Sequence, residues 1–559
     1  MPQSTLSHKG VEGVLGRAIG AEELEEVLFR SKAEVKEIAG DDLKLEVTAD
    51  RLDLLSEAGL GLHLAGALGL AHGLIAWKPP RGDPALTLRR MRGVAPLRPV
   101  INGVIVESPE GAGLDAPLLA EAIRFQELLH ATVGRNRRLA SLGIYPLERV
   151  RPPVTYALEP LDAIRFTPLD ADSPVDGKAF FESHAMAAQY GPYGRTDSGC
   201  LTLRDAAGEI LSLPPVLNSR SAGEARVGDR RLLIESTGTL EGRVDDALAL
   251  LSLVFIARGW KAAPVPVISE AGEQIGPDPL ALRSVPLRES TLRSIAGEAI
   301  PANEVSHALS SVRLAAHPSE GGWRVEAPPW RPDLLAEVDL VEEVLLARGL
   351  KAESGILPPT RTRGGRRPES RFRMRVADLL LGLGFAPLSS TVLVPGALVH
   401  QLGRHESIEV ANPVSELYSH LRDRLCVSLV SALGHNVRFG YPQRFSEVGP
   451  VVVPNSASES GADSRYHAGF LVASEAAGFA DAASIVDYVL GALGTVAVRE
   501  PTDIPGMIPG RGARVRLAGE TVAEVGELHP EILKAQSVPV PVAWAELDLT
   551  RLWPLLGRQ

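Results

Sequence analysis

Pro328-Pro-Trp-Arg-Pro-Asp-Leu-Leu-Ala-Glu-Val-Asp-Leu-Val-Glu-Glu343 is the stretch on which the reading of this chain turns. Val338, Leu340, Val341, Val344, Leu345 and Leu346 recur at helical spacing and fit one buried face. On such a helix Asp339, Glu342 and Glu343 stand at i, i+3 and i+4 and share a side. Asp333 follows Pro332, where the helix is expected to begin. Carboxylates gathered this closely repel one another unless positive charge sits among them. A hard divalent cation is one candidate, because Mg²⁺ takes oxygen ligands and keeps several waters. A plain helix start is the other: Asp333 fits an N-cap, and the helix dipole favours acidic residues in a first turn.

Outward from this stretch, the chain of 559 residues is too long for one core, and about three to five domains are expected. A hydrophobic content of 45% argues against wholesale disorder. The net charge of −11 excludes a chain that attracts nucleic acid as a whole, so any RNA contact must be local or supplied by a partner. Two cysteines, Cys200 and Cys426, exclude a disulfide framework and a four-cysteine metal site. They fit a reducing cytoplasm, which is the expected location. No run approaches the roughly 20 apolar residues of a membrane span. Met1-Pro-Gln-Ser-Thr-Leu-Ser-His-Lys9 has no apolar core, so neither membrane insertion nor secretion is expected. Arg361 to Arg375 holds seven arginines, but Gly364-Gly365 and Pro368 mark it as a linker entering a helix.

The pattern along the chain predicts a multidomain α+β protein. Residues 1–85 read as a small mixed module, with a helix from Ala21 to Arg30, a strand from Leu43 to Thr48 and a helix from Gly59 to Leu70. Residues 86–270 read as a mixed α+β domain. Its strands are expected near Pro99–Glu107, Leu139–Ile144 and Arg230–Ser236, and its helices near Pro117–Val133 and Arg243–Gly259. Residues 283–352 form a helix–strand unit around the acidic helix, and residues 368–559 a C-terminal domain. No internal repeat is expected.

Several stretches resemble, in order, the beta subunit of phenylalanyl-tRNA synthetase, of the shorter archaeal and eukaryotic type. They include Asp50-Arg-Leu-Asp53, Gly143-Ile-Tyr-Pro-Leu-Glu-Arg-Val150, Ile164-Arg-Phe-Thr-Pro-Leu169 and Glu209-Ile-Leu-Ser-Leu-Pro-Pro-Val-Leu-Asn-Ser219. Further on come Ile234-Glu-Ser-Thr-Gly-Thr239, the Pro328 to Glu343 segment, Ala411-Asn-Pro-Val-Ser-Glu416, Leu421-Arg-Asp-Arg-Leu425, Ile508-Pro-Gly-Arg-Gly512 and Gly526-Glu-Leu-His-Pro-Glu531. The resemblance runs from about residue 40 to the C-terminus. It implies an editing module, a small module with a Mg²⁺-binding helix, and a catalytic-like domain on the class II synthetase antiparallel sheet. It also implies a heterotetramer of two alpha and two beta subunits that joins phenylalanine to tRNA(Phe), with ATP and phenylalanine bound by alpha.

Adenylation needs cations over the phosphates of ATP, where charge develops. The family places arginines for this in alpha. In this chain the corresponding segment Glu524-Val-Gly-Glu-Leu-His-Pro-Glu531 has no arginine after its glycine, and there is no Walker loop. No residue of this chain is therefore expected to catalyse aminoacylation. Editing is different: a phenylalanine pocket rejects tyrosine poorly by binding alone, and a second, hydrolytic site closes the gap. The resemblance points to Glu235 as reader of the tyrosyl hydroxyl, Ser212 and Asn218 as pocket residues, and His184 as a general base or tRNA contact. It also implies Asp333, Asp339, Glu342 and Glu343 as the expected Mg²⁺ ligands. A free-standing aminoacyl-tRNA deacylase and a degenerate scaffold are the alternative readings.

Overall fold

The computed structural model describes residues 3–80, 86–197, 199–349, 362–403 and 406–557. The arginine-rich tract thus begins outside the described residues, at Arg361. By internal contacts the chain divides into two compact units, Met1–Leu357 and Pro358–Gln559. As anticipated, the elements are mixed α and β, in several sheets.

The first unit opens with a strand (Gln3–Ser7), two helices (His8–Leu15 and Ala21–Leu28), a hairpin (Ala33–Ala39 with Asp42–Val47) and a closing helix, Glu57–Ala67. The strand Asp42–Val47 lies between the other two, and its alternate residues Leu43, Leu45 and Val47 are buried. The Ser7 hydroxyl accepts from the backbone N–H of Gly10 to start the first helix, and Gly16, at φ 86°, ends it.

The same series returns near the end of this unit. A strand (Arg283–Arg288), two helices (Glu289–Ala296 and Ala302–Ser311), a hairpin (Ala315–Ser319 with Gly322–Ala327) and a closing helix (Glu337–Arg348) repeat the order, again with the last strand central. Residues correspond 280 or 281 positions on: Gly16 and Gly297, both at positive φ; Lys32 and Arg313, at φ 59° and 66°; Arg51-Leu-Asp-Leu-Leu-Ser-Glu57 and Arg331-Pro-Asp-Leu-Leu-Ala-Glu337. Arg51 grips Asp53 through Nε and Nη2 at 2.9 and 2.8 Å, and Arg331 grips Asp333 at 2.9 and 2.7 Å. Glu57 accepts the N–H of Ser7 at 2.8 Å, and Glu337 that of Arg288 at 3.0 Å. The chain therefore does contain an internal repeat, contrary to the sequence reading. Its core positions keep apolar character but not identity, as in Leu24 against Val305 and Val27 against Ala308.

Between the copies lie two facing sheets. One is antiparallel in the order Lys261–Pro264, Val100–Glu107, Arg231–Gly238, Ala140–Pro146. The helices Ala116–Ala131 and Glu241–Ile256 cover one of its faces, packing on Val104, Leu142, Leu232 and Ile234. Its other face, with Ile105, Tyr145 and Leu233, shares a core with Val154, Tyr156, Leu201, Leu203 and Leu211 of a seven-stranded sheet.

The second unit is built on a seven-stranded sheet in the order Ala386–Pro387, Gln443–Pro454, Ala462–Ala473, Val542–Asp548, Glu520–Leu528, Met507–Leu517, Val498–Pro501. All its pairings are antiparallel except the first. Helices Pro368–Gly382, Phe479–Ala492 and Leu549–Leu555 pack into one core cluster with it, and Gly396–Gln401, Cys426–His435 and Pro530–Ala535 into another. Among the described residues no helix is long and apolar enough to cross a membrane.

Candidate active site

Where the two middle sheets of the first unit meet the helix Ala116–Ala131 lies a cavity of about 400 Å³, and Ser212, Asn218 and Glu235 all line it. Strand alternation puts them there. On Arg231–Gly238, Leu232 and Ile234 turn to the helices, so Leu233 and Glu235 face the opposite sheet. Glu235 pairs in register with Gly143, and Leu233 with Tyr145, so Gly143 and Tyr145 share that face. A Cβ at position 143 would collide with the Tyr145 hydroxyl and Glu235 Oε2, so the glycine leaves the room in which these two groups meet. The Tyr145 hydroxyl donates to Glu235 Oε2 at 3.0 Å and stands 2.9 Å from Ser212 Oγ. Ser212 comes from the seven-stranded sheet and pairs with Asn218, whose amide donates to the Gly223 carbonyl at 3.1 Å.

Glu235 is 2% exposed. Burial pushes its carboxyl up to about 7, against the opposing pull of the Tyr145 hydrogen bond and the charge of Arg98. Burial, then the nearby Glu235 charge, raises the Tyr145 phenol well above its ordinary value. Arg98 is itself fully buried and donates to the carbonyls of Arg137, Arg138 and Thr237 and to Ser141 Oγ. At the rim, Arg137 binds Glu127 at 3.0 and 3.1 Å, donates to the Val216 carbonyl and lies 4.5 Å over the Tyr190 ring. His130 Nε2 accepts the N–H of Leu142 at 2.8 Å, which leaves the proton on Nδ1 toward Glu127. Burial lowers the His130 pKa and favours this neutral form.

His184 does not line the cavity. It caps the helix Ala185–Tyr190 by accepting the N–H of Met186, pairs with Asp170 at 3.1 Å and stacks on Phe180. These local bonds account for a histidine at that position.

The four carboxylates of the opening motif are spread among other partners. The helix begins at Glu337, four residues after Asp333, and Asp333 is bound sideways by Arg331 rather than capping it. Asp339 accepts the N–H groups of Leu335 and Ala336 at 2.8 and 2.7 Å from inside the first turn. Glu343, 2% exposed, takes Arg331 at 2.8 Å; burial alone would raise its pKa, but Arg331, Arg51 and Lys32 together lower it. Glu342 and Asp50 converge on Lys32 Nζ at 2.7 and 2.9 Å. Among the described residues no three His, Cys, Asp or Glu side chains are grouped to hold a metal ion. The positive charge that the clustered carboxylates require is arginine and lysine, and as packed they do not fit a Mg²⁺ ion held by this chain alone.

In the second unit a cavity of about 220 Å³ lies on the sheet. Arg424, Arg465, His467 and Arg551 line it, but so do Glu524, Glu546 and Asp548. Arg424 meets Glu524 at 3.4 Å, and Arg551 meets Asp548 at 3.3 Å. His467 bonds Glu546 at 2.6 Å. Burial alone would lower its pKa, but hydrogen bonds to Asp548 and Glu546 outweigh that and raise it to about 9. Each of these cations lies within 4 Å of a carboxylate of the sheet, Arg465, His467 and Arg551 sharing Asp548.

Residues 355–549 match the family described as the phenylalanyl tRNA synthetase beta chain CLM domain, and residues 285–350 match the tRNA synthetase B5 domain. The chain is 32% identical to a phenylalanine–tRNA ligase beta subunit of Aeropyrum pernix, with 98% of each chain covered. It is 30% identical to that of Korarchaeum cryptofilum, again with 98% of each covered. The chain belongs to the phenylalanine–tRNA ligase beta subunit family. An N-terminal fragment of the phenylalanyl-tRNA synthetase beta subunit from Pyrococcus horikoshii has the same fold over 62% of this chain and all of that fragment, with a TM-score of 0.58 at 26% identity. The likeness to the Pyrococcus abyssi beta subunit, 28% identical, covers 99% of this chain and so extends to the first forty residues as well. As a member of this family the chain is a subunit of a ligase.

Sequence reasoning missed Tyr145, Arg98, Glu127, His130 and Arg137. Tyr145 stands inside a quoted family motif, two residues from Gly143, and only the strand register shows that it meets Glu235.

Proposed function

We propose that this ligase beta subunit works beside a catalytic alpha subunit, in a cytoplasmic heterotetramer that charges tRNA(Phe) with phenylalanine. The cavity of the first unit hydrolyses tyrosyl-tRNA(Phe) formed in error. What carries the proofreading reading is the convergence of Ser212, Asn218 and Glu235 on that cavity. A buried carboxylate is a strong hydroxyl acceptor, and a phenylalanyl ring in place of the tyrosyl group offers no donor to the acceptor capacity that Tyr145 leaves open, at a cost of about 1–3 kcal/mol. A site built this way retains phenylalanyl-tRNA poorly and tyrosyl-tRNA well, which is the selectivity a second sieve requires.

Adenylation belongs to alpha in this reading. The cations on the sheet of the second unit lie against Glu524, Glu546 and Asp548, whose charge opposes the binding of phosphates. ATP, phenylalanine and Mg²⁺ are placed on alpha. A divalent ion at Asp333, Asp339, Glu342 and Glu343 would need ligands from another chain and the release of Lys32 and Arg331. The four modules expected at 1–85, 86–270, 283–352 and 368–559 become, in this reading, a duplicated arm on either side of the editing domain, followed by the catalytic-like domain.

Co-purification with an alpha subunit and a deacylation assay test this. Glu235→Ala is expected to slow hydrolysis of tyrosyl-tRNA(Phe) about 10- to 100-fold, the loss of one hydrogen bond to a charged group. Phenylalanine charging should be unchanged. Hydrolysis by this chain alone, without alpha, would favour a free-standing deacylase. Binding of alpha with no hydrolysis would leave only a scaffold.

A further inference from the structure

We propose that Tyr145 sets the hydroxyl preference of the cavity by fixing the direction in which its hydrogen bonds run. The proposal rests on the reading of this cavity as the editing site. The Tyr145 O–H points to a carboxylate oxygen, Glu235 Oε2, at 3.0 Å. An ionised carboxylate only accepts, so the single phenolic proton is committed there. The 2.9 Å contact between the Tyr145 oxygen and Ser212 Oγ must then use the serine proton. A hydroxyl carries one proton, so Ser212 has only lone pairs left to show the cavity. Ser212 and Glu235 thus face an incoming side chain as acceptors, and what satisfies them is a donor. A tyrosyl hydroxyl is one; the edge of a phenylalanyl ring is not.

The geometry holds this direction in place. Tyr145 is 1% exposed, in the core it shares with Leu233, Leu211 and Val154. Its hydroxyl sits in the space left by the missing side chain of Gly143. The ring cannot leave without opening that core, so the phenol is a permanent part of the wall. Tyr145 is a positioning residue, acting through Ser212 and Glu235.

The test uses the full chain assembled with alpha, at pH 8, above the value near 7 at which Glu235 titrates. Hydrolysis of tyrosyl-tRNA(Phe) and phenylalanyl-tRNA(Phe) is measured, and the ratio of their kcat/KM values is compared. Tyr145→Phe keeps the ring and frees the Ser212 proton; the ratio is expected to fall about tenfold, as for the loss of one buried hydrogen-bond preference. Ser212→Ala should lower the ratio similarly, and the double variant no further, because both break the same chain. Tyr145→Phe that lowers both rates together and leaves the ratio intact would mean a merely structural tyrosine and overturn the proposal. An unchanged ratio in Ser212→Ala would overturn it too, even if Tyr145→Phe failed to fold. A wild-type assembly that hydrolyses neither substrate removes the editing reading itself and this inference with it; a wild type that discriminates beside an indifferent Tyr145→Phe removes the inference alone.

Discussion

Arg331→Ala tests whether protein cations, and not a metal, hold the acidic helix. The Arg331 guanidinium bonds Asp333 at 2.9 and 2.7 Å and Glu343 at 2.8 Å. Their side chains are 4% and 2% exposed, so truncation strands two buried carboxylates. Removing one partner of a buried pair costs about 3–5 kcal/mol. Lys32 at 3.8 Å and Arg51 at 4.0 Å still face Glu343, which places the expected loss at the lower end, about 3 kcal/mol. That corresponds to an opening of the helix Glu337–Arg348 roughly 100-fold more frequent. Hydrogen exchange read by mass spectrometry on peptides spanning residues 323–349 measures it. The deficit should shrink in acid: without Arg331, burial lets Glu343 take up a proton and shed its charge. Chelation of divalent ions should leave wild-type exchange unchanged. Exchange in Arg331→Ala within threefold of wild type, or a wild type that opens on adding EDTA, would refute the reasoning.

Two further outcomes concern pH. Glu235, raised by burial to about 7 in the folded chain, contributes stability that is complete below its unfolded value near 4.5 and is lost as pH rises through 7. Glu235→Gln should flatten this, a difference on the order of 3 kcal/mol between denaturation at pH 5 and at pH 8; Glu121, also near 7, is common to both proteins and cancels. His467, raised to about 9, contributes stability that is full below its unfolded value near 6.5 and disappears as pH climbs through 9. His467→Phe should accordingly be less stable than wild type at pH 6 and converge toward it at pH 10 in the same denaturation experiment.

How much of this was legible in the sequence varies with how local each feature is. The strand that carries Glu235 was visible as an apolar run, and the family resemblance pointed to its carboxylate. Its extent, Arg231–Gly238, departs little from the expected Arg230–Ser236. The helices Ala116–Ala131 and Glu241–Ile256 also fall where the periodicity put them. Tyr145 could not be singled out, because it meets Glu235 through a register between strands ninety residues apart. His184 looked chemical in sequence but does a local task at a helix end. The acidic motif misled for a related reason: spacing shows which carboxylates share a helix face, whereas Lys32, which neutralises Glu342, arrives from 310 residues away. The pairing of Arg424 with Glu524 in the second unit could not be read either, since the two are brought together only by folding.

The duplicated arm has a consequence for biogenesis. Its first copy emerges from the ribosome 280 residues ahead of its mate. At about 5–20 residues per second that is a delay of roughly 15 to 60 s. Until Glu342 and Glu343 have been translated, Lys32 has Asp50 but not the two glutamates it also meets in the finished protein. Nascent chains halted before and after residue 343 should therefore differ in protease resistance near Lys32, although nothing in that neighbourhood of the primary structure has changed.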